Sequence, residues 1–174
     1  MFRSSEASGA DRRESQVAAK IFLHGLESSN QGTKGRFFQE RYPDMIVPSF
    51  TGPLVERMEK LRGILSGETG IIIVGSSFGG LMAAIFAIEN ESQVDRLVLL
   101  APAINLLSTM DYKDKHISVP AWVFHGMNDA VIPLNQVKAM ARKLFSQLSF
   151  QVVDDDHFLH KTFKSLDWDH LLNA

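Results

Sequence analysis

The sequence predicts an α/β fold: a three-layer α/β/α sandwich on a mainly parallel sheet of about six strands. Three observations carry this reading. Short runs of β-branched or bulky residues recur along the chain, each ending in a polar, Gly- or Pro-containing loop, as fully buried parallel strands do. Helix-forming stretches alternate with them. The longest uncharged stretch, Thr69 to Ile88, is broken in its middle by Gly75-Ser76-Ser77-Phe78-Gly79-Gly80. That segment turns a chain rather than continuing a helix, so strand, sharp turn and buried helix are expected there instead of a membrane span.

Taken in order, the strand segments are Val17 to Leu23, Met45 to Val47, Ile71 to Val74, Val94 to Leu100, Ala121 to Phe124, and Phe150 to Val153. Residues 1 to 15 hold almost nothing to bury and no apolar core of a secretory signal; they are expected to be a disordered arm, with 16 to 174 as a single domain. Thr51-Gly52-Pro53 starts a helix with Leu54, Met58, Leu61 and Leu65 on one face and Gly67 as its stop. Leu81 to Ile88 reads as a buried helix. Pro133 opens another, with Leu134, Val137, Ala141 and Leu144 aligned. A short helix is expected over Ser165 to Leu172.

Composition narrows the chemistry. With 174 residues the chain can bury one sizeable core without disulfides or a structural metal. Its 18 Lys and Arg against 20 Asp and Glu give no basic excess of the kind that marks nucleic-acid binding. There is no cysteine, which removes thiolate catalysis, Cys-ligated zinc and iron–sulfur clusters, and fits a reducing cytoplasm. The six histidines form neither H-x-x-x-H nor H-E-x-x-H, and no glycine-rich phosphate loop is present, so neither a metal nor a cofactor is expected.

In a parallel α/β sheet, ligand chemistry gathers beyond the carboxyl ends of the strands. Four such loops carry candidate residues. Gly75-Ser76-Ser77-Phe78-Gly79 matches G-x-S-x-G between strand and helix, projecting Ser77 above the sheet at a helix N-terminus. Ser76 is the neighbouring rival but lacks the symmetric glycines, and a plain tight turn with a capping serine would have the same sequence. Asp129, in the loop after Ala121 to Phe124, can hold a histidine in the right tautomer, or simply cap the turn that follows. His157, after Phe150 to Val153, can act as general base and then acid near neutral pH; His160 is the nearby alternative. Asp154, Asp155 and Asp156 before it read as a solvated acidic turn. His24-Gly25-Leu26 after the first strand can present the Leu26 amide which, with that of Phe78, would form an oxyanion hole. His24 and His125 read as hydrogen-bonding residues that tie loops together.

Nucleophile, acid and base then follow the chain order Ser77, Asp129, His157, which is that of the α/β-hydrolases and of neither other common serine hydrolase arrangement. From Val17 onward the chain resembles the α/β-hydrolase superfamily, and most of all its small, cap-poor bacterial hydrolases. The matching motifs are His24-Gly25, Gly75-Ser76-Ser77-Phe78-Gly79, the His125-Gly126…Asp129…Pro133 loop and His157. The resemblance implies Ser77 as nucleophile, His157 as base, Asp129 as acid, and the Leu26 and Phe78 amides as the oxyanion hole. Gly32-Thr33-Lys34 also resembles some serine thioesterases and depalmitoylating enzymes.

Two departures from the superfamily stand out: its first two strands have no counterpart before Val17, and residues 102 to 119 are too few for a substantial cap. An open pocket follows, suited to a small or exposed ester or thioester, with Phe78, Leu106, Leu107, Met110 and Met127 as its expected apolar lining. Dehalogenase-type chemistry would need Asp at the elbow and dienelactone-hydrolase-type chemistry Cys; Ser77 stands there instead. The alternatives are a non-catalytic binding protein of the same fold, or an acyltransferase or peptidase using the same three residues.

Overall fold

The structure, a computed structural model, describes residues 18–173; the arm expected over residues 1 to 15 lies outside them. Strands β1 (Lys20–Leu23), β2 (Ile71–Ser76), β3 (Val94–Leu100), β4 (Ala121–Gly126) and β5 (Leu148–Val153) form one sheet in the order β1-β2-β3-β4-β5. Every neighbouring pair is parallel. The helices are α1 (Thr33–Arg41), α2 (Leu54–Ile64), α3 (Phe78–Glu89), α4 (Leu134–Leu144) and α5 (Trp168–Leu172).

The central strands are apolar on both faces over most of their length because each face is covered there, whereas the edge strand β5 is half-exposed. Ile71 and Ile73 of β2, with Leu97 and Leu99 of β3, pack into a core under α2, α3 and α4. Ile72, Val74, Val98 and Leu100 point the other way. There they meet an aromatic cluster that includes Phe38 of α1 and Trp168 of α5, whose rings lie 4.8 Å apart, edge to face. Helix α3 is buried almost throughout, as its sequence, uncharged up to Glu89, requires.

The sheet has five strands where about six were expected. Met45 to Val47 is reduced to a single bridge between Ile46 and Ile21, with Phe22 N donating to Ile46 O at 2.9 Å and Ile46 N to Lys20 O at 2.8 Å. Pro48 follows at once; lacking an N–H, it cannot extend the ladder. Helix α1 was not foreseen. The segment expected as one helix over Ser165 to Leu172 is instead a 3₁₀ turn, Phe163–Ser165, followed by α5.

Between β3 and β4 the chain makes a short 3₁₀ helix, Ile104–Thr109, packed against α3 and α4. It covers the core rather than the strand ends, which leaves the loops after β1, β2, β4 and β5 open at one edge of the sheet.

Candidate active site

Only Ser77 separates β2 from α3, so the chain must reverse within one residue. Its backbone takes φ 54° and ψ −115°, a region that costs an L-residue about 1–3 kcal/mol. Hydrogen bonds hold it there: Ser77 N donates to Leu100 O, and the amides of Gly80 and Ala103 donate to Ser77 O, each at 2.9 Å. The flanking glycines are required by close approach. A Cβ at Gly79 would collide with the carbonyl oxygen of Leu23, and one at Gly75 would sit 2.5 Å from Gly79 O. The pattern G-x-S-x-G therefore records three backbones meeting under a raised serine.

Ser77 Oγ lies 3.0 Å from His157 Nε2, and His157 Nδ1 lies 2.7 Å from Asp129 Oδ2. The Asp129 carboxylate is sealed from solvent. Its Oδ1 accepts the amides of Val131 and Ile132, both at 2.8 Å, so the tight turn before α4 fixes its aim. His125 stands behind it: its buried Nε2 donates to Ile132 O at 3.0 Å and is 3.3 Å from Asp129 Oδ2. Burial first of all pulls the His125 pKa below its ordinary value, outweighing its bond to Ile132 and the Asp129 charge. A neutral His125 leaves the Asp129 carboxylate without a competing cation beside its contact with His157. Ser76 and His160 take no part; His160 pairs with Asp156 instead.

His24 is buried below the β1 loop. Its Nε2 accepts the amide of Phe50 at 2.8 Å, which leaves Nδ1–H to donate to Gly25 O at 2.7 Å. The Gly25 carbonyl and the Leu26 N–H belong to one trans peptide and point in opposite directions. Anchoring the carbonyl therefore orients the amide. A Cβ at Gly25 would lie 3.4 Å from Ser77 Cβ, so this peptide runs directly past the serine. Neither the Leu26 nor the Phe78 amide has a backbone acceptor among the described residues.

The acidic turn before His157 is not the solvated one expected. Asp155 is buried; its carboxylate accepts the amides of Asp156, Lys161 and Thr162 at 2.7–3.0 Å and so folds the loop around His157. Asp154 remains exposed and Asp156 half-exposed. Lys34 reaches across from α1 to donate to Phe158 O at 2.6 Å, one residue beyond His157. Burial lowers its pKa, against the pull of Asp156 and Asp155. The sequence marks Asp155 only as part of an acidic turn and Lys34 only within Gly32-Thr33-Lys34; their contacts are not legible there, because their partners are amides and a carbonyl that only the folded loops bring near.

A cavity of about 630 Å³ opens over Ser77 and His157, walled by Phe78, Val131, Ile132, Phe158 and Phe163 and edged by Lys34. Phe78 is where the sequence placed it. Leu106, Leu107, Met110 and Met127 do not line this cavity, which corrects the expected lining. Leu107 and Met110 pack into the core beneath α3 and α4, because the 3₁₀ helix that carries them folds down onto those helices. Leu106 and Met127 are exposed elsewhere. Among the described residues no group of His, Cys, Asp and Glu could hold a metal ion, and no helix is long and apolar enough to cross a membrane.

The fold and the loops gathered at its strand ends are those of the α/β-hydrolase superfamily. Within it, the chain belongs to the dienelactone hydrolase family, whose model matches residues 15–154, with serine at the elbow of a chain that contains no cysteine. Similar solved structures include a YdeN-like hydrolase from Pectobacterium atrosepticum (20% identity, 89% of this chain and 87% of that one, TM-score 0.68). Est1E from Butyrivibrio proteoclasticus is also similar (13% identity, 89% and 86%, TM-score 0.73). So is a monoacylglycerol lipase from Paleococcus ferrophilus (12% identity, 88% and 92%, TM-score 0.67). At these identities the likeness is one of fold. No curated protein sequence matches the chain.

Proposed function

We propose that the protein hydrolyses a carboxylic ester or thioester through an acyl-enzyme on Ser77. His157 Nε2 takes the proton from Ser77 Oγ as the oxygen attacks the substrate carbonyl. The Leu26 and Phe78 amides receive the oxyanion, and Asp129 holds the His157 imidazolium through Nδ1–H. His157 protonates the leaving group and then activates the water that releases the acid. The observation that supports this reading most strongly is the unbroken chain from Ser77 through His157 to Asp129, with contacts of 3.0 and 2.7 Å at the wall of a single cavity.

The cavity walls support this substrate class. Phe78, Val131, Ile132 and Phe158 offer apolar contact to an acyl group, and the uncapped mouth favours short-to-medium chains on a small or exposed ester or thioester. The absence of cysteine accords with a cytoplasmic setting, and the near-neutral charge balance with a small-molecule substrate rather than nucleic acid. A panel of nitrophenyl esters and acyl-thioesters tests the reading, with Ser77→Ala as the blank. Hydrolysis peaking at short-to-medium chains and falling at least about 10³-fold in Ser77→Ala is expected. A folded Ser77→Ala protein as active as the parent would overturn the mechanism, and a peak at very long chains the chain-length preference.

A further inference from the structure

Arg57 is a charged residue in the interior that takes no part in the contacts among Ser77, His157 and Asp129. It lies on the first turn of α2 and is 4% exposed. Its Nε donates to Gly52 O at 2.8 Å and its Nη2 to Leu26 O at 3.3 Å, while its guanidinium carbon lies 5.5 Å from the centre of the Phe78 ring. Nη1 is buried with no partner, and no carboxylate pairs with the group among the described residues. A buried cation with an unfilled donor and no counter-ion is costly, and ordinary packing would replace it with an apolar residue. Beyond Gly52 O, which anchors it within its own segment, it touches the carbonyl of Leu26 and the ring of Phe78, the two residues whose amides face the reacting carbonyl in the proposed mechanism.

We infer that Arg57 is the positioning residue of the oxyanion hole, clamping the β1 loop against the elbow and supplying the positive field into which the oxyanion develops. The clamp acts through Leu26 O. With His24 holding Gly25 O on one side and Arg57 holding Leu26 O on the other, both peptides flanking the Leu26 Cα are pinned, so the Leu26 N–H cannot swing away when the carbonyl carbon becomes tetrahedral. The contact with Phe78 ties the second donor to the same anchor. The field acts because the guanidinium is itself out of water and has no carboxylate partner: fixed positive charge behind the two amides favours a developing anion over a neutral carbonyl, and so lowers the barrier while adding little to ground-state binding. At His24 in the same loop, burial lowers the pKa first, and the charges of Arg57 and Lys60 act in the same direction.

The inference rests on the proposed serine mechanism, and the test separates the two. Arg57→Gln and Arg57→Lys are compared with the parent and with Ser77→Ala for kcat, for KM on a neutral ester, and for inhibition by an alkyl boronic acid. Boron adds to the serine oxygen to form a tetrahedral anion. Arg57→Gln is expected to lose about 10- to 100-fold in kcat, with KM within threefold and boronate affinity falling in step. Arg57→Lys, which keeps the charge and loses the fork, is expected to fall between Gln and parent. Folded variants with kcat and boronate affinity within twofold of the parent, or with KM alone raised, overturn the inference. If the Gln variant does not fold, Arg57→Lys decides by the same criterion. Hydrolysis that survives Ser77→Ala overturns both readings; hydrolysis that needs Ser77 but is indifferent to Arg57 overturns this one alone.

Discussion

His24 Nε2 accepts the backbone N–H of Phe50 at 2.8 Å, and this bond fixes the tautomer with which His24 holds the β1 loop. With Nε2 occupied as acceptor, Nδ1 must carry the proton, and it gives that proton to Gly25 O. Removing the ring leaves the buried Phe50 amide without an acceptor and frees the Gly25–Leu26 peptide. His24→Ala is therefore expected to lose about 1–3 kcal/mol of stability. Its ester-hydrolysis kcat is expected to fall more than KM rises. Urea unfolding checks the first statement and steady-state kinetics the second; a variant with parental kcat would show that the loop holds its orientation unaided.

Glycine positions with opposite surroundings give a paired prediction. Gly79 has backbone oxygens of Leu23 and His24 where a Cβ would go, whereas Gly63, inside α2, has nothing within 4 Å. Gly79→Ala must push β1 away from the elbow, so it is expected to destabilise the fold and to lower hydrolysis at the same time. Gly63→Ala is expected to raise stability by about 0.5–1 kcal/mol, from helix propensity alone, and to leave activity unchanged. Thermal unfolding of the two variants side by side checks both signs.

Stability should fall on the acid side of neutrality. Burial is the main cause that places His24 below its ordinary pKa, with the charges of Arg57 and Lys60 adding to it against the bond to Gly25. Burial likewise lowers His125. When the folded pKa lies below the unfolded one, the unfolded chain binds more protons between the two values, so stability rises with pH across that window. It is lost as pH drops below about 6.5, at up to about 1.4 kcal/mol per pH unit for each histidine. Asp155 adds a contribution of the same sign at lower pH. Burial works against its charged form, but the hydrogen bonds from Thr162, Asp156 and Lys161 outweigh it and hold its pKa below the ordinary 3.8. That contribution is present above 3.8 and lost as pH falls through the folded value. Urea midpoints at pH 7.5 and 5.5 check the histidine part; a midpoint that is equal or higher at pH 5.5 would contradict it.

What could be read from the sequence was whatever writes itself locally. The β-branched run Ile71 to Val74, the glycines around Ser77 and the order of Ser77, Asp129 and His157 are short-range patterns, and the structure brings those three side chains together. Helix α1 left no such signal: Thr33 to Arg41 is strongly polar, and it is held by Phe38 packing on Phe22, Phe163 and Trp168 from distant segments. The same limit hid the contacts of Asp155, Lys34 and Arg57, each of which is defined by a backbone atom brought near only by folding. The misassigned lining has a related cause. Apolar composition marks Leu107 and Met110 as residues to bury, but not whether a ligand or the core does the burying.

The most direct test of the account is covalent labelling of Ser77. Folded protein is treated with a fluorophosphonate, and the modified residue is located by peptide mass mapping, with Ser77→Ala and His157→Gln alongside. One adduct per chain is expected, on Ser77, absent in Ser77→Ala and formed at least about 10³-fold more slowly in His157→Gln. A folded parent that takes up no label, or takes it up equally well without His157, would contradict the claim that these residues form a working nucleophile.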